Sequence, residues 1–444
     1  MFKDLISLVG DISKLEKSLQ ERVSSRRKKL IELIGQHHPD KKGIIFLFAP
    51  TEYDHAIFTQ ESSFFYFSEI SEPAAVLSFG FYDHTILYQP NFGDLRNKWV
   101  QSVDIINEST KILYGIDELK YNGAVLGTYT VDPYFVLADY QHVIQDLIQV
   151  VAQGKTIFTL YPQHSRAYAQ VKFIIDRLSL FVPNLMQYVV DISPLVAKLR
   201  RKKDISEIEK IYQAISITQA AFQAAAHMLR PDCNEAEVQA AIEYIFTENR
   251  ASTAYPSIVA GGKRATVLHY NLNKEAIRAG DLVLIDAGAK FENYCADITR
   301  VFPATGKFSK RQKELYQIVL DTQMHVAEFA RPGMWLSGAP DPSMSLQHIA
   351  HEYLKKYGYD KYFIHGIGHY LGLDVHDVGS RQDPLNQGDV ITIEPGIYIP
   401  EEGIGIRIED NFWILADTES MCMSEEIPKD IDIIEEMVQQ NFEH

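Results

Sequence analysis

The chain has 444 residues, with 43 Lys plus Arg against 59 Asp plus Glu, a formal net charge of −16. A whole-chain basic footprint for nucleic acid or an anionic membrane is therefore missing, and no nucleic-acid partner is expected. At 46% hydrophobic and 23% charged residues the composition is that of a folded globular protein, and two or three domains are expected at roughly 150 residues each. Its three cysteines, Cys233, Cys295 and Cys422, are far apart and in no CxxC pair, which indicates neither a disulfide framework nor a thiolate zinc site and suits a reducing compartment. Charges every few residues break any apolar signal core at the N-terminus, and no stretch approaches the roughly 18 apolar residues of a span, so a cytoplasmic protein with no membrane segment is expected.

Leu5, Leu8, Val9, Ile12, Leu15 and Leu19 recur at helical spacing, predicting one or two amphipathic helices in the first 35 residues whose stripe could face a partner subunit. From Gly43 the pattern turns to short apolar runs, GIIFLFAP, AAVLSFGF and HTILYQP, separated by turn residues and followed by helical stretches. That reads as an α/β domain over residues 1–190, with the boundary near Asp191 and a second domain over 191–444. Asp204 with Glu207 three residues later makes a capping box at the start of a long helix.

The second part carries an internal repeat. A helix ending in MLRPD and another, opened by Ser309 with Gln312 and ending in FARPG, are each followed by a mixed stretch and a Gly-Asp turn into an apolar strand that ends in an acid: GDLVLIDAG to Asp286, GDVITIEPG to Glu394. The Asp-to-acid interval is five in both (286 − 281 and 394 − 389), and the repeats lie 108 residues apart (389 − 281). A duplicated half-domain with a pseudo-twofold follows, and such folds place their site between the halves.

Each strand is followed by a return strand bearing another acid. Asp286 and Asp297 are centred on 291.5, so a four-residue KFEN loop would place them directly opposite; Glu394 and Glu409 are centred on 401.5, within PEEG. Two facing like-charge pairs at the ends of buried strands call for a bound cation. Three histidines, His365, His369 and His376, crowd into HGIGHYLGLDVHDVG, and His269 precedes Asp286 by seventeen residues. A zincin HExxH helix is excluded because Gly366 stands where the Glu should be and the glycines oppose a helix, so a strand or loop is expected. Carboxylates with one imidazole suit two divalent ions, Mn²⁺ first and Co²⁺ or Zn²⁺ next, and a two-metal centre implies hydrolysis.

The set IDAGAKFENYCADITRVFP, HGIGHYLGLDVHDVG, TIEPGIYIP and GIRIED resembles the pita-bread metallopeptidases, and within them the aminopeptidase P and prolidase group. TQESSFFYFSEISEPAAVLSF is similar to the creatinase-type N-terminal domain of that group. The resemblance implies an α/β (α+β) chain with a creatinase-like N-terminal domain and a duplicated pita-bread catalytic domain. It implies that Asp286, Asp297, His369, Glu394 and Glu409 ligate two metals, with Asp297 and Glu409 bridging, a hydroxide between the ions acting as nucleophile and Glu394 taking its proton. It implies that His376 hydrogen-bonds the scissile carbonyl, that His269 and His365 line the proline pocket, and that Arg407 supports the site, though for Arg407 a structural ion pair is an even alternative. The implied substrates are peptides with proline second, cleaved as Xaa-Pro aminopeptidase or, alternatively, as prolidase on Xaa-Pro dipeptides; family habit adds a dimer or tetramer. A catalytically silent binding relative would lack ligands that are present here, and a metal-free amidinohydrolase would have no use for the full set. Cys295, on the face of Asp297, reads as a packed, inert thiol.

Overall fold

The computed structural model describes residues 18–442 apart from 53–56, 81–83, 103–105, 132–135, 163–167, 382 and 416–419. The apolar stripe from Leu5 to Leu15 lies outside the described residues; its last member, Leu19, opens α1 (Leu19–His37) behind a Ser18–Glu21 capping box. The chain divides into two compact units, Met1–Arg200 and Arg201–His444.

In the first unit, the runs expected to be strands are β1 (Gly43–Phe48), β2 (Val76–Gly80) and β3 (Ile86–Gln89). With β4 (Glu118–Tyr121), β5 (Thr156–Thr159) and β6 (Val189–Asp191) they form one mixed sheet ordered β4-β3-β2-β1-β5-β6. Val76 and Leu77 of β2 and Ile45 to Phe48 of β1 are buried, so the central strands are apolar because both faces are covered. The division falls after Arg200 rather than near Asp191. β6 is still an edge strand of this sheet, and the buried Arg200 donates to Ser63 Oγ at 2.9 Å in the same unit.

The second unit opens with two antiparallel helices, α2 (Ile205–Met228) and α3 (Glu235–Glu248), and its second half with α4 (Lys310–Ala327) and α5 (Leu346–Lys355). The Asp204–Glu207 and Ser309–Gln312 capping boxes both form. β7 (Ile258–Gly261), β8 (Leu282–Ala287) and β9 (Ile298–Pro303) make one antiparallel sheet. β10 (Val390–Ile393) pairs with β13 (Asp410–Ile414), and β11 (Gly396–Ile399) with β12 (Ile404–Arg407). Every residue of β8, β9, β10 and β13 is buried. The expected duplication is this recurrence of helix pair and antiparallel strands, and an isolated bridge from Thr299 to Glu409 joins the halves.

One register differs from expectation. The first hairpin turns on two residues, not four: Glu292 and Asn293 have φ of 45° and 71°, the left-handed pair that a tight right-twisted hairpin demands. Lys290 therefore pairs with Cys295 and Asp286 with Thr299. Asp297 lies two residues along from the partner of Asp286, a diagonal neighbour on the same face rather than opposite it. The second hairpin keeps the expected register, because Ile393 pairs with Asp410 and Gly396 with Arg407, which sets Glu394 across from Glu409.

Candidate metal centre

Asp286 is the penultimate residue of the buried strand β8, so its side chain stands at the end of the apolar layer. Asp297 precedes β9, and Asn411 of the other half holds its backbone, donating to Asp297 O at 2.6 Å and accepting from its N–H at 3.3 Å. Glu409 is fastened the same way: its N–H donates to Thr299 O at 3.2 Å, and its carboxylate accepts from Thr299 Oγ1 at 2.7 Å. Behind it the fully buried Arg300 donates to Glu409 O at 2.7 Å and pairs with Asp410 at 2.6 Å. These ties cross between the repeats, so Asp297 and Glu409 are each aimed by the other half.

The histidine segment is a loop that lies along β10. His369 N–H donates to Thr392 Oγ1 at 3.1 Å and Thr392 N–H to His369 O at 2.9 Å. Gly368 is required there: a Cβ would meet Thr392 O at 2.0 Å. His369 Nδ1 donates to Tyr370 O at 3.1 Å, which turns Nε2 towards the acids, 3.3 Å from Asp297, 3.7 Å from Glu394 and 3.9 Å from Glu409. Asp297, His369 and Glu409 offer ligand atoms all within 4.8 Å of one another. Asp286 joins them through the Tyr255 hydroxyl, which touches both Asp286 and Asp297, and through its ion pair with Arg407.

The five expected ligands thus converge on one cavity of about 910 Å³, also lined by His269, His365, His376 and Arg407. The His376 ring packs edge-on against His369 with centroids 4.3 Å apart. His365 sits in a defined chain: Arg407 donates to Tyr398 Oη at 2.9 Å, Tyr398 Oη reaches His365 Nε2 at 2.8 Å, and Nδ1 lies 2.8 Å from Gly366 O. With Nδ1–H given to the carbonyl, Nε2 accepts from the phenol and the ring is neutral. Burial, seconded by the Arg407 charge, pushes its pKa down to about 4. His269 stands exposed at the rim.

The electrostatics test the metal reading. Burial, with Asp297 and Glu394 close by, holds the Glu409 carboxyl well above its ordinary value. Burial raises Glu394 to about 7 and raises Asp286 against the pull of Arg407. Burial opposes a charge on His369, but its hydrogen bond to Asp297 and the charges of Asp297 and Glu394 outweigh it and push the pKa up to about 9. One phenol proton cannot satisfy both Asp286 and Asp297. Buried acids so crowded, facing an imidazole whose Nε2 points among them, could hold a divalent cation, and the residues fit one.

Sequence spacing missed Tyr255, Tyr398 and Thr299, and the pair of Lys203 with Asp377, whose atoms lie 3.0 Å apart with both side chains 1% exposed. Thr299, Tyr398 and Asp377 lie inside the quoted motifs but have no spacing that marks a role, and Tyr255 and Lys203 lie outside them; only the fold brings them to their partners. Cys295 is buried with its thiol pushed up to about 12 by desolvation, as befits an inert packed group.

A duplicated α/β unit with this centre defines a metal-dependent hydrolase. Residues 209–416 match the model of metallopeptidase family M24. The chain is 38% identical over 274 residues to a Xaa-Pro aminopeptidase of Haemophilus influenzae, covering 56% of this chain and 64% of that one. It is 31% identical over 438 residues to the Xaa-Pro aminopeptidase of Escherichia coli, covering 89% and 92%, and 41% identical over 228 residues to a Xaa-Pro dipeptidase of Pyrococcus furiosus, covering 50% and 63%. The structure of aminopeptidase P from Escherichia coli with the inhibitor Pro-Leu superposes with a TM-score of 0.77 at 27% identity over 96% of this chain and 99% of that one. The chain belongs to metallopeptidase family M24. Its fold is the pita-bread fold expected, and within the family it is a metallo-aminopeptidase.

Proposed function

We propose that the protein removes the N-terminal residue from peptides with proline in second position. The observation that carries this is the convergence of Asp286, Asp297, His369, Glu394 and Glu409 on one cavity also walled by three further histidines. Asp297 and Glu409, which present carboxylates to both repeats, would bridge two ions, with Mn²⁺ favoured by the donors and Co²⁺ or Zn²⁺ admitted. When bound, the ions supply Lewis acidity and a water of lowered pKa.

The chain's own groups do the rest. Glu394, whose carboxylate lies in the cavity beside His369 and Asp297, would accept and return the proton of the attacking water. Burial and the neighbouring His369 lower the pKa of His376, leaving a neutral imidazole that can donate a hydrogen bond to the scissile carbonyl as charge develops on its oxygen. The neutral His365 and the rim residue His269 would enclose the proline ring. Arg407 holds Asp286 in place and, through Tyr398, fixes the His365 tautomer. A peptide bond to proline carries no N–H, so recognition must come from ring shape and the free amino end.

A second reading, cleavage of Xaa-Pro dipeptides, is favoured by the 41% identity over 228 residues to a dipeptidase. Hydrolysis of Arg-Pro-Pro against Gly-Pro, after chelation and after return of Mn²⁺, separates the two. Preference for the tripeptide supports the aminopeptidase, and activity untouched by thorough metal removal overturns both. We further infer a cytoplasmic homo-oligomer, a dimer or tetramer, from the cysteine usage and the N-terminal apolar stripe; among the described residues no helix is long and apolar enough to cross a membrane.

A further inference from the structure

Glu235, the first residue of α3, is fully buried yet lies outside the metal centre. Both of its carboxylate oxygens are filled. Oε1 accepts from the Gly261 N–H at 2.9 Å and from Arg264 Nε at 2.6 Å; Oε2 accepts from the Tyr270 hydroxyl at 2.8 Å and from the Glu275 N–H at 3.1 Å. Four donors on one fully buried carboxyl tie it firmly to the groups that carry them.

All four belong to one segment, 261–275, which leaves β7 and returns towards β8. Gly261 is its start, Glu275 its end, and Tyr270 is the immediate neighbour of His269. The segment brings Leu268, His269 and Asn271 to the cavity wall. Beyond a short 3₁₀ turn at Gly262–Thr266 it has no regular structure. Nor is it anchored by apolar burial near the histidine, since Val267 is 56% and Leu272 65% exposed. The exposed His269 ring is therefore placed by the polar ties of its loop, and the central tie is Glu235. Asn273 adds a second, donating to Ser257 O at 2.6 Å and accepting from Val259 N–H at 2.9 Å.

We propose that Glu235 is a positioning residue that sets His269 against the substrate by clasping the start, middle and end of its loop. This rests on the reading of His269 as a substrate-pocket residue. A merely structural role would lower stability and metal loading without regard to His269, whereas a role through His269 vanishes when that ring is gone.

The test is a double-mutant cycle on the Mn²⁺-loaded full chain, with kcat and KM for Arg-Pro-Pro, metal content and thermal melting recorded for Glu235→Gln, His269→Ala and the double variant. Glu235→Gln is expected to lower kcat/KM about tenfold with metal content unchanged, and to have less than about a twofold further effect in the His269→Ala background. Multiplicative losses in the double variant, or wild-type kinetics for Glu235→Gln, overturn the inference alone. Wild-type kinetics for His269→Ala overturn the reading of His269 and the inference with it. Should Glu235→Gln not fold, Tyr270→Phe, which removes one donor from the carboxylate, takes its place in the same cycle with the same expectations.

Discussion

Replacing Arg407 by Met keeps much of the side chain's length and apolar stem but removes its charge. Arg407 is 4% exposed and has three partners: Asp286, Thr299 Oγ1 at 3.0 Å and Tyr398 Oη at 2.9 Å. Breaking a buried ion pair by deleting one partner costs about 3–5 kcal/mol, because the other charge stays buried and uncompensated. The two remaining hydrogen bonds add about 1 kcal/mol each. In the metal-free protein the loss should reach about 5–7 kcal/mol. With Mn²⁺ bound, Asp286 has a cation in place of the guanidinium, and only the two hydrogen bonds, about 2 kcal/mol, are lost. The gap between the two conditions, about 3–5 kcal/mol, corresponds to roughly 6–20 °C in Tm for a unit of this size. Thermal melting of wild type and Arg407→Met at pH 8, each with chelator and with excess Mn²⁺, measures it. Equal destabilisation in the two conditions would refute the argument that Asp286 serves the same centre as the other acids.

Asp297→Asn should lower turnover at least about 10³-fold even with added Mn²⁺ while leaving the circular dichroism spectrum intact; full activity would count decisively against the ligand assignment. His376→Ala should lower kcat by about 10²-fold or more with a small change in KM, as expected for a donor that matters when charge develops, and a change confined to KM would contradict that role. Metal-free His369 and Glu394, raised to about 9 and about 7, hold protons that a cation must displace. Mn²⁺ affinity should therefore climb between about pH 6 and about pH 9 with protons released to the buffer, and calorimetry showing a pH-independent constant would sink this account.

The acids at the ends of GDLVLIDAG and GDVITIEPG were legible because an apolar strand that stops in a carboxylate is a local pattern, repeated 108 residues on (389 − 281). The capping boxes at Asp204 and Ser309 are local in the same sense and form as expected. The first hairpin was misjudged by two residues of pairing, since Glu292 does not advertise the left-handed backbone it shares with Asn293; only the pairing of β8 with β9 reveals the two-residue turn. Tyr255 was invisible for another reason: it lies 31 residues before Asp286, and its hydroxyl gains meaning only between two carboxylates that the fold brings together.

What the sequence alone determined is the inventory and its local logic: two strand-borne pairs of acids, a glycine-rich histidine loop, a duplication and the family they belong to. What tertiary structure decided is the coupling between distant parts. Arg300 on Glu409, Asn411 on Asp297, Lys203 on Asp377 and Glu235 on the loop of His269 all join residues far apart along the chain. Periodicity and capping depend on neighbours a few residues away, whereas a buried charge finds its partner through packing, and packing exists only in the folded molecule.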